Sequence, residues 1–301
     1  MPATALTVPS SPVALRAALI GVRALVLDAD GVLLFAGRPL PRVAESLSRL
    51  ESAGVPYRVV TNFSSSHRTT LAANFSRAVG VPVDPERIIT AASAAAAYTA
   101  RHYAGVPLLV LAAPDARAEW DGQHLLTPDE ADAVGAEVGA VVIGDAGDDL
   151  SFRNLNIAFR AIRAGAAFVA MHRNLWWVTP RGVTLDAGAF VVGLEESLGQ
   201  RAIVAGKPSR VVFREAVRAL AREAGTPRLA ARDVAMVGDD LESDIGGAHR
   251  AGLRALLVLS GKTDAAAVRA ADGAGRLRGA VFPDAIGEDL SAVVEALIAA
   301  R

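Results

Sequence analysis

The chain has 301 residues, 52% of them hydrophobic, with 31 Lys+Arg against 32 Asp+Glu. That apolar fraction excludes intrinsic disorder, and a net charge of -1 leaves no basic surplus to neutralise phosphates along a nucleic acid. The absence of cysteine excludes disulfides, thiolate metal sites and Cys nucleophiles together.

The length suggests about two domains of ~150 residues, or one domain with a large insertion. Residues 1–12 contain no basic residue, and Arg16 and Arg23 interrupt the apolar stretch that follows. Neither a secretory signal nor a membrane span is expected, and a cytoplasmic protein is. Without export, the sequons at Asn62 and Asn74 read as chance.

In chain order the pattern predicts a strand over 24–27, a helix over 43–53, a strand over 57–60 and a helix over 68–79. A second set follows: a helix over 91–102, strands over 108–111 and 141–143, a helix over 154–164, and strands over 168–170 and 176–179. The first rhythm then resumes, with strands over 203–205, 234–237 and 254–259 and helices over 211–224 and 245–251. Strands that read as continuous apolar runs and alternate with helices predict an α/β fold. We expect a doubly wound, Rossmann-like parallel-sheet core at 1–88 and 189–301, with an α/β cap inserted at 89–188.

Four apolar runs end abruptly in polar residues: in Asp28-Ala29-Asp30-Gly31, in Thr61-Asn62, in Gly206-Lys207-Pro208, and in Gly238-Asp239-Asp240 with Asp244 close behind. Ligands of open parallel sheets bind outside the carboxyl ends of the strands, so the four ends are expected to converge on one site. Asp28 and Asp30, two apart on extended backbone, are expected on one side. Gly31 permits a sharp turn that brings amides to an anion. Paired carboxylates repel unless a cation lies between them, and oxygen ligands suit a hard ion such as Mg2+. Asp239 can complete the shell and Asp244 can support it. Thr61 can donate to a phosphoryl oxygen, and Lys207 offers a point charge for developing negative charge. Each motif alone is more often a turn, a cap or a solvated lysine; in this order, at four strand ends, they describe phosphoryl transfer. Gly144-Asp145, with Asp148 and Asp149, imitates the fourth motif but lies inside the insertion and reads as a solvated acidic loop.

With these motifs the chain resembles the haloacid dehalogenase superfamily of phosphatases, in its subgroup IIA of 4-nitrophenylphosphatase-like enzymes. Residues 144–147, 154–159 and 237–247 narrow the likeness to one branch. The resemblance implies that Asp28 is the nucleophile, forming an aspartyl-phosphate, and that Asp30 protonates the leaving group and then activates water. It also implies that Asp28, the Asp30 carbonyl and Asp239 hold Mg2+ with support from Asp244, while Thr61 and Lys207 bind phosphoryl oxygens. Gly31 and Asn62 are expected at the substrate. Many members place a second Asn where Phe63 stands, which bears on substrate contacts rather than on the chemistry. The cap is implied to set specificity, with His172, Arg173, Asn174 and Arg181 as candidate contacts or a solvated loop. Of Trp176 and Trp177, one is expected in the core and the other at the site or at a homodimer contact through the cap. A surface or packing role is expected for His249. The expected partner is a small phosphorylated substrate, with neither nucleic acid nor membrane.

Other readings stay open on sequence. A dehalogenase needs no acid for its leaving group, so Asp30 and the metal acids would be superfluous. Phosphomutases and phosphonatases share the core. Phospho-acceptor signalling modules are far shorter, and a silent binding protein would have no use for the full set of acids.

Overall fold

The structure is a computed structural model that describes residues 7–179, 182–225 and 229–301. In chain order the strands are β1 (Ala24–Asp28), β2 (Leu34–Phe35), β3 (Arg38–Pro39), β4 (Tyr57–Thr61), β5 (Ile88–Thr90), β6 (Leu108–Leu111), β7 (Leu125–Leu126), β8 (Ala140–Ile143), β9 (Ala167–Ala170), β10 (Trp176–Thr179), β11 (Gly182–Leu185), β12 (Ile203–Val204), β13 (Val234–Gly238), β14 (Arg254–Val258) and β15 (Ala285–Gly287). The chain divides into two compact units. The first comprises Met1–Thr61, Ala72–Ile88 and Phe213–Arg301; the second comprises Asn62–Leu71 and Ile89–Val212.

The first unit is built on a six-stranded sheet in the order β15-β14-β13-β1-β4-β5. The ladders β14–β15, β13–β14, β1–β13 and β1–β4 are all parallel. Every residue of β1, β4 and β13 is buried, which explains why β1 and β13 read as apolar runs up to their ends and why β4 is apolar but for the buried Arg58. From β1 the chain moves out one way to β4 and β5, and later returns on the other flank of β1 with β13, β14 and β15. The carboxyl ends of β4, β1 and β13 therefore lie side by side where the strand order reverses, the usual ligand crevice of an open parallel sheet.

The second unit has its own parallel sheet, β12-β9-β8-β6-β7. Leu109, Val141, Ile143 and Phe168 pack there against Ile157, Ala161 and Ile162 of the helix Phe152–Arg163. The helix Ala91–His102 begins with a reciprocal cap between Thr90 and Ser93. Both units are α/β, as expected. Among the described residues no helix is long and apolar enough to cross a membrane.

Two details differ from expectation. The strand ahead of Lys207 is not in the six-stranded sheet: β12 pairs with β9 at the edge of the second one, so three of the four motif-bearing strand ends share a sheet. A short apolar run carries no mark of its neighbour, and pairing is a non-local choice. The predicted helix over 245–251 is in fact a π-helical turn, Leu241–Gly246, followed by an α-helix, Gly247–Ala251.

Candidate active site

In the first unit, β1 ends at Asp28 and the chain turns at once. Gly31 has φ +79, and its N–H donates to the Leu34 carbonyl at 2.6 Å. A Cβ at Gly31 would stand 2.0 Å from Oδ2 of Asp239, so only glycine fits. The strand stops at Asp28, which is 6% exposed, whereas Asp30 lies at the surface on the turn that follows. Asp28 Oδ1 accepts the Ala29 N–H at 2.7 Å. Thr61 ends β4, one residue past the Val60 that pairs with Asp28, and is buried.

β13 brings Asp239 to the neighbouring position. Asp244, fully buried, turns back from the π-helical segment, and its Oδ2 accepts the N–H of Asp239 at 3.2 Å and of Asp240 at 3.1 Å. π-Helical turns are rare and recur at functional sites; this one aims Asp244 at the strand end. Gly238 makes room, since a Cβ there would meet Asp244 Oδ2 at 2.4 Å. Asp28, Asp239 and Asp244 each offer an oxygen, and these oxygens lie within 4.8 Å of one another. Three buried carboxylates this close repel strongly, and an all-oxygen donor set fits a hard divalent cation. The Asp30 carboxylate is not among these three.

In the second unit, Asn62 and Lys207 form a reciprocal clamp. Asn62 Oδ1 accepts the Lys207 N–H at 2.7 Å, and Asn62 Nδ2 donates to the Lys207 carbonyl at 3.0 Å. Both polar atoms of the Asn62 side chain are thus engaged on backbone. Lys207 is 5% exposed. Gly206 is required beside it, because a Cβ would lie 2.6 Å from Asn62 Oδ1.

His172 is buried, and its Nδ1 accepts the Asn174 N–H at 3.3 Å. Nε2 therefore carries the proton and donates to Ser64 Oγ at 2.9 Å. Burial pushes the imidazole pKa down, against the pull of Asp186 and Asp145, so the ring is neutral. The Arg173 guanidinium pairs at 2.7 Å with Glu195. Burial raises the Glu195 carboxyl, but the Ala202 amide and the guanidiniums of Arg201 and Arg173 outweigh it and hold the group below its usual range. The cation of Arg173 is thus committed to a buried acid, and Asn174 is exposed. Arg181 lies outside the described residues.

Asp148 and Asp149 are exposed, as expected of a solvated loop. Trp176 and Trp177 are 61% and 41% exposed, so neither is in the core: they lie on a two-stranded hairpin with no third strand among the described residues. His249 packs structurally, its ring nitrogens facing the Ala280 carbonyl at 2.7 Å and Asp284 at 3.0 Å. Sequence reasoning missed Ser64 and the segment Ser260-Gly261-Lys262. The latter follows the apolar run 254–259, the same signal that marked the other strand ends.

A strand-end cluster of aspartates at the reversal point of a parallel sheet, beside a buried threonine, is the arrangement expected of a hydrolase of the haloacid dehalogenase type. Family models agree: haloacid dehalogenase-like hydrolase over residues 25–125 and HAD-hydrolase-like over residues 204–291. The chain belongs to this family, on its phosphatase side.

Its relatives include human haloacid dehalogenase-like hydrolase domain-containing protein 2, 31% identical over 82% of this chain and 87% of that protein. Human phospholysine phosphohistidine inorganic pyrophosphate phosphatase, of the branch the sequence motifs resemble, is 31% identical over 81% of this chain and 85% of that one. Among solved structures, a p-nitrophenyl phosphatase from Archaeoglobus fulgidus superposes with TM-score 0.79 at 26% identity, over 92% of this chain and 99% of that one. A glycerol phosphate phosphatase from Mycobacterium tuberculosis, in complex with magnesium, superposes with TM-score 0.74 at 30% identity, over 91% of this chain and 76% of that one.

Proposed function

We propose that this chain is a Mg2+-dependent phosphatase that hydrolyses a small phosphorylated metabolite through an aspartyl-phosphate on Asp28. The observation that carries the reading is the buried carboxylate group of Asp28, Asp239 and Asp244 at adjacent strand ends. An Asp28 oxygen attacks phosphorus and the phosphorus–oxygen ester bond breaks. Asp30, as the carboxylic acid, gives its proton to the departing oxygen. In the second half Asp30, now a carboxylate, takes a proton from water; that water attacks phosphorus, releasing phosphate and restoring Asp28. Thr61 donates to a phosphoryl oxygen and Lys207 offsets its charge, with Asn62 holding the Lys207 backbone. Gly31 stands at the substrate on the turn it forms directly after Asp28 and Asp30. Asp28, Asp239 and Asp244, with the Asp30 carbonyl, would hold the metal. Bound there, Mg2+ would neutralise the crowded acids and stabilise charge on the phosphoryl oxygens.

We assign the cap role to the insertion 89–188, with specificity arising near His172, Arg173 and Asn174. The substrate class is supported by the small phosphate esters that the structural relatives are named for. A homodimer through the cap is supported by the hairpin β10–β11, where Trp176 and Leu185 pair across the ladder and Val183 follows Leu185 on the same face, all more than 60% exposed.

Steady-state hydrolysis of 4-nitrophenyl phosphate tests the central reading. Turnover is expected with Mg2+, is lost on chelation, and falls by on the order of 10^4-fold or more in Asp28→Asn. Metal-independent turnover, or equal rates in the variant, contradicts it. Binding of substrate without turnover would favour a silent member of the fold.

A further inference from the structure

The segment after β14 closes over the acid cluster from the opposite flank of β13. Ser260 Oγ donates to the Gly31 carbonyl at 2.7 Å, gripping the turn that follows Asp28. The Lys262 N–H donates to Asp239 Oδ2 at 2.6 Å. A Cβ on Gly261 would lie 2.1 Å from that same oxygen and 2.5 Å from Gly31 Cα. The Lys262 ammonium pairs with Asp240, whose other oxygen accepts the N–H groups of Glu242 and Ser243 at 2.9 Å and starts the turn that carries Asp244.

We propose that Ser260-Gly261-Lys262 is a positioning clasp that fixes the Asp239 carboxylate, and that it acts through backbone rather than through the lysine charge. It rests on the metal reading given above. One Asp239 oxygen is pinned by the Lys262 amide, which sets the rotamer and leaves the carboxylate oriented toward Asp28 and Asp244. Gly261 is what permits the approach: its missing side chain lets the amide come within hydrogen-bond reach while the loop touches Gly31. The ammonium is a weaker contributor, because the Lys262 side chain is 74% exposed and surface pairs are screened. A lysine kept for its charge would give the opposite ranking of variants, and a loop that merely packs would leave Mg2+ affinity unchanged in the folded Ser260→Ala variant.

The test is calorimetric titration of the full-length protein with Mg2+ alone, alongside kcat and KM for 4-nitrophenyl phosphate at varied Mg2+. Gly261→Ala is expected to weaken Mg2+ binding about 10–100-fold, with kcat recovering as Mg2+ is raised and KM little changed. Lys262→Met keeps the amide and is expected to change affinity by no more than about fivefold. Should Gly261→Ala fail to fold, Ser260→Ala decides: it adds no atoms, and a Mg2+ affinity weakened severalfold is expected. Wild-type affinity in the folded variants, or a larger loss in Lys262→Met than in Gly261→Ala, overturns the clasp while leaving the metal reading intact. A wild-type protein that binds no Mg2+ overturns both.

Discussion

Among the described residues Asp28, Asp239 and Asp244 are the acids buried together; Asp28 and Asp239 were legible because each follows an apolar run, and Asp244 by its place five residues beyond Asp239. Asp30 was legible by spacing, but its exposure was not, since β1 ends at Asp28 and leaves Asp30 on the turn beyond it. The role of Asn62 was hidden for another reason: its partners are backbone atoms of Lys207, 145 residues away, and no side-chain pattern marks a backbone acceptor. Gly206 was visible only as part of a turn, although its value lies in the room it leaves for Asn62. Two part-buried hydrogen bonds hold that clamp, so Asn62→Ala is expected to lower unfolding stability by about 1–3 kcal/mol in denaturant titration. A midpoint unchanged from wild type would show that the clamp contributes nothing.

At the scale of elements, strands β1, β4 and β13 were predicted to within one residue because burial on both faces leaves a dense apolar run, which in β4 survives the single interruption by Arg58. Their order in the sheet was not readable in that way, and β12 was assigned to the wrong sheet. Nothing in Ile203–Val204 distinguishes a partner in one unit from a partner in the other. The hairpin β10–β11 shows the converse: two adjacent tryptophans suggested one core position, yet a two-stranded ribbon has no sheet to bury either. Its exposed face of Trp176, Val183 and Leu185 carries the dimer proposal. Sedimentation equilibrium is expected to show a wild-type dimer that Leu185→Glu converts to monomer with the fold retained. A monomeric wild type at micromolar concentration removes the proposal.

Across the whole molecule, two histidines couple folding to pH with opposite signs. The hydrogen bond to Asp284 raises the His249 pKa, and both ring nitrogens face acceptors, so the ring is an imidazolium. Its contribution is fully present below about pH 6.5, the unfolded value, and is lost as pH rises through the folded value. Burial lowers the Asp284 carboxyl's resistance to protonation, but its bonds to His249 and to the Ala255 amide win and hold it below its ordinary value. That contribution is present above about pH 4 and is lost as pH falls further. The window with both intact runs from about pH 4 to 6.5. His249→Gln is therefore expected to lower the melting temperature most in that window, with the difference shrinking in alkaline buffer. A constant difference from pH 5 to pH 9 would contradict the ion pair. His172, neutral by burial, works the other way: its share of stability is lost as acid protonates the unfolded chain first.

The central claim is that Asp28 carries the phosphoryl group. Acid quenching of Asp30→Asn, in which the second half-reaction loses its base, should trap that group during turnover of 4-nitrophenyl phosphate with Mg2+. Peptide mass analysis is expected to find one phosphoryl group on the peptide containing Asp28, and none when Asp28 is also replaced by Asn. A trapped group on another residue, or an unmodified Asp28 peptide from a variant that still turns over, would contradict the account.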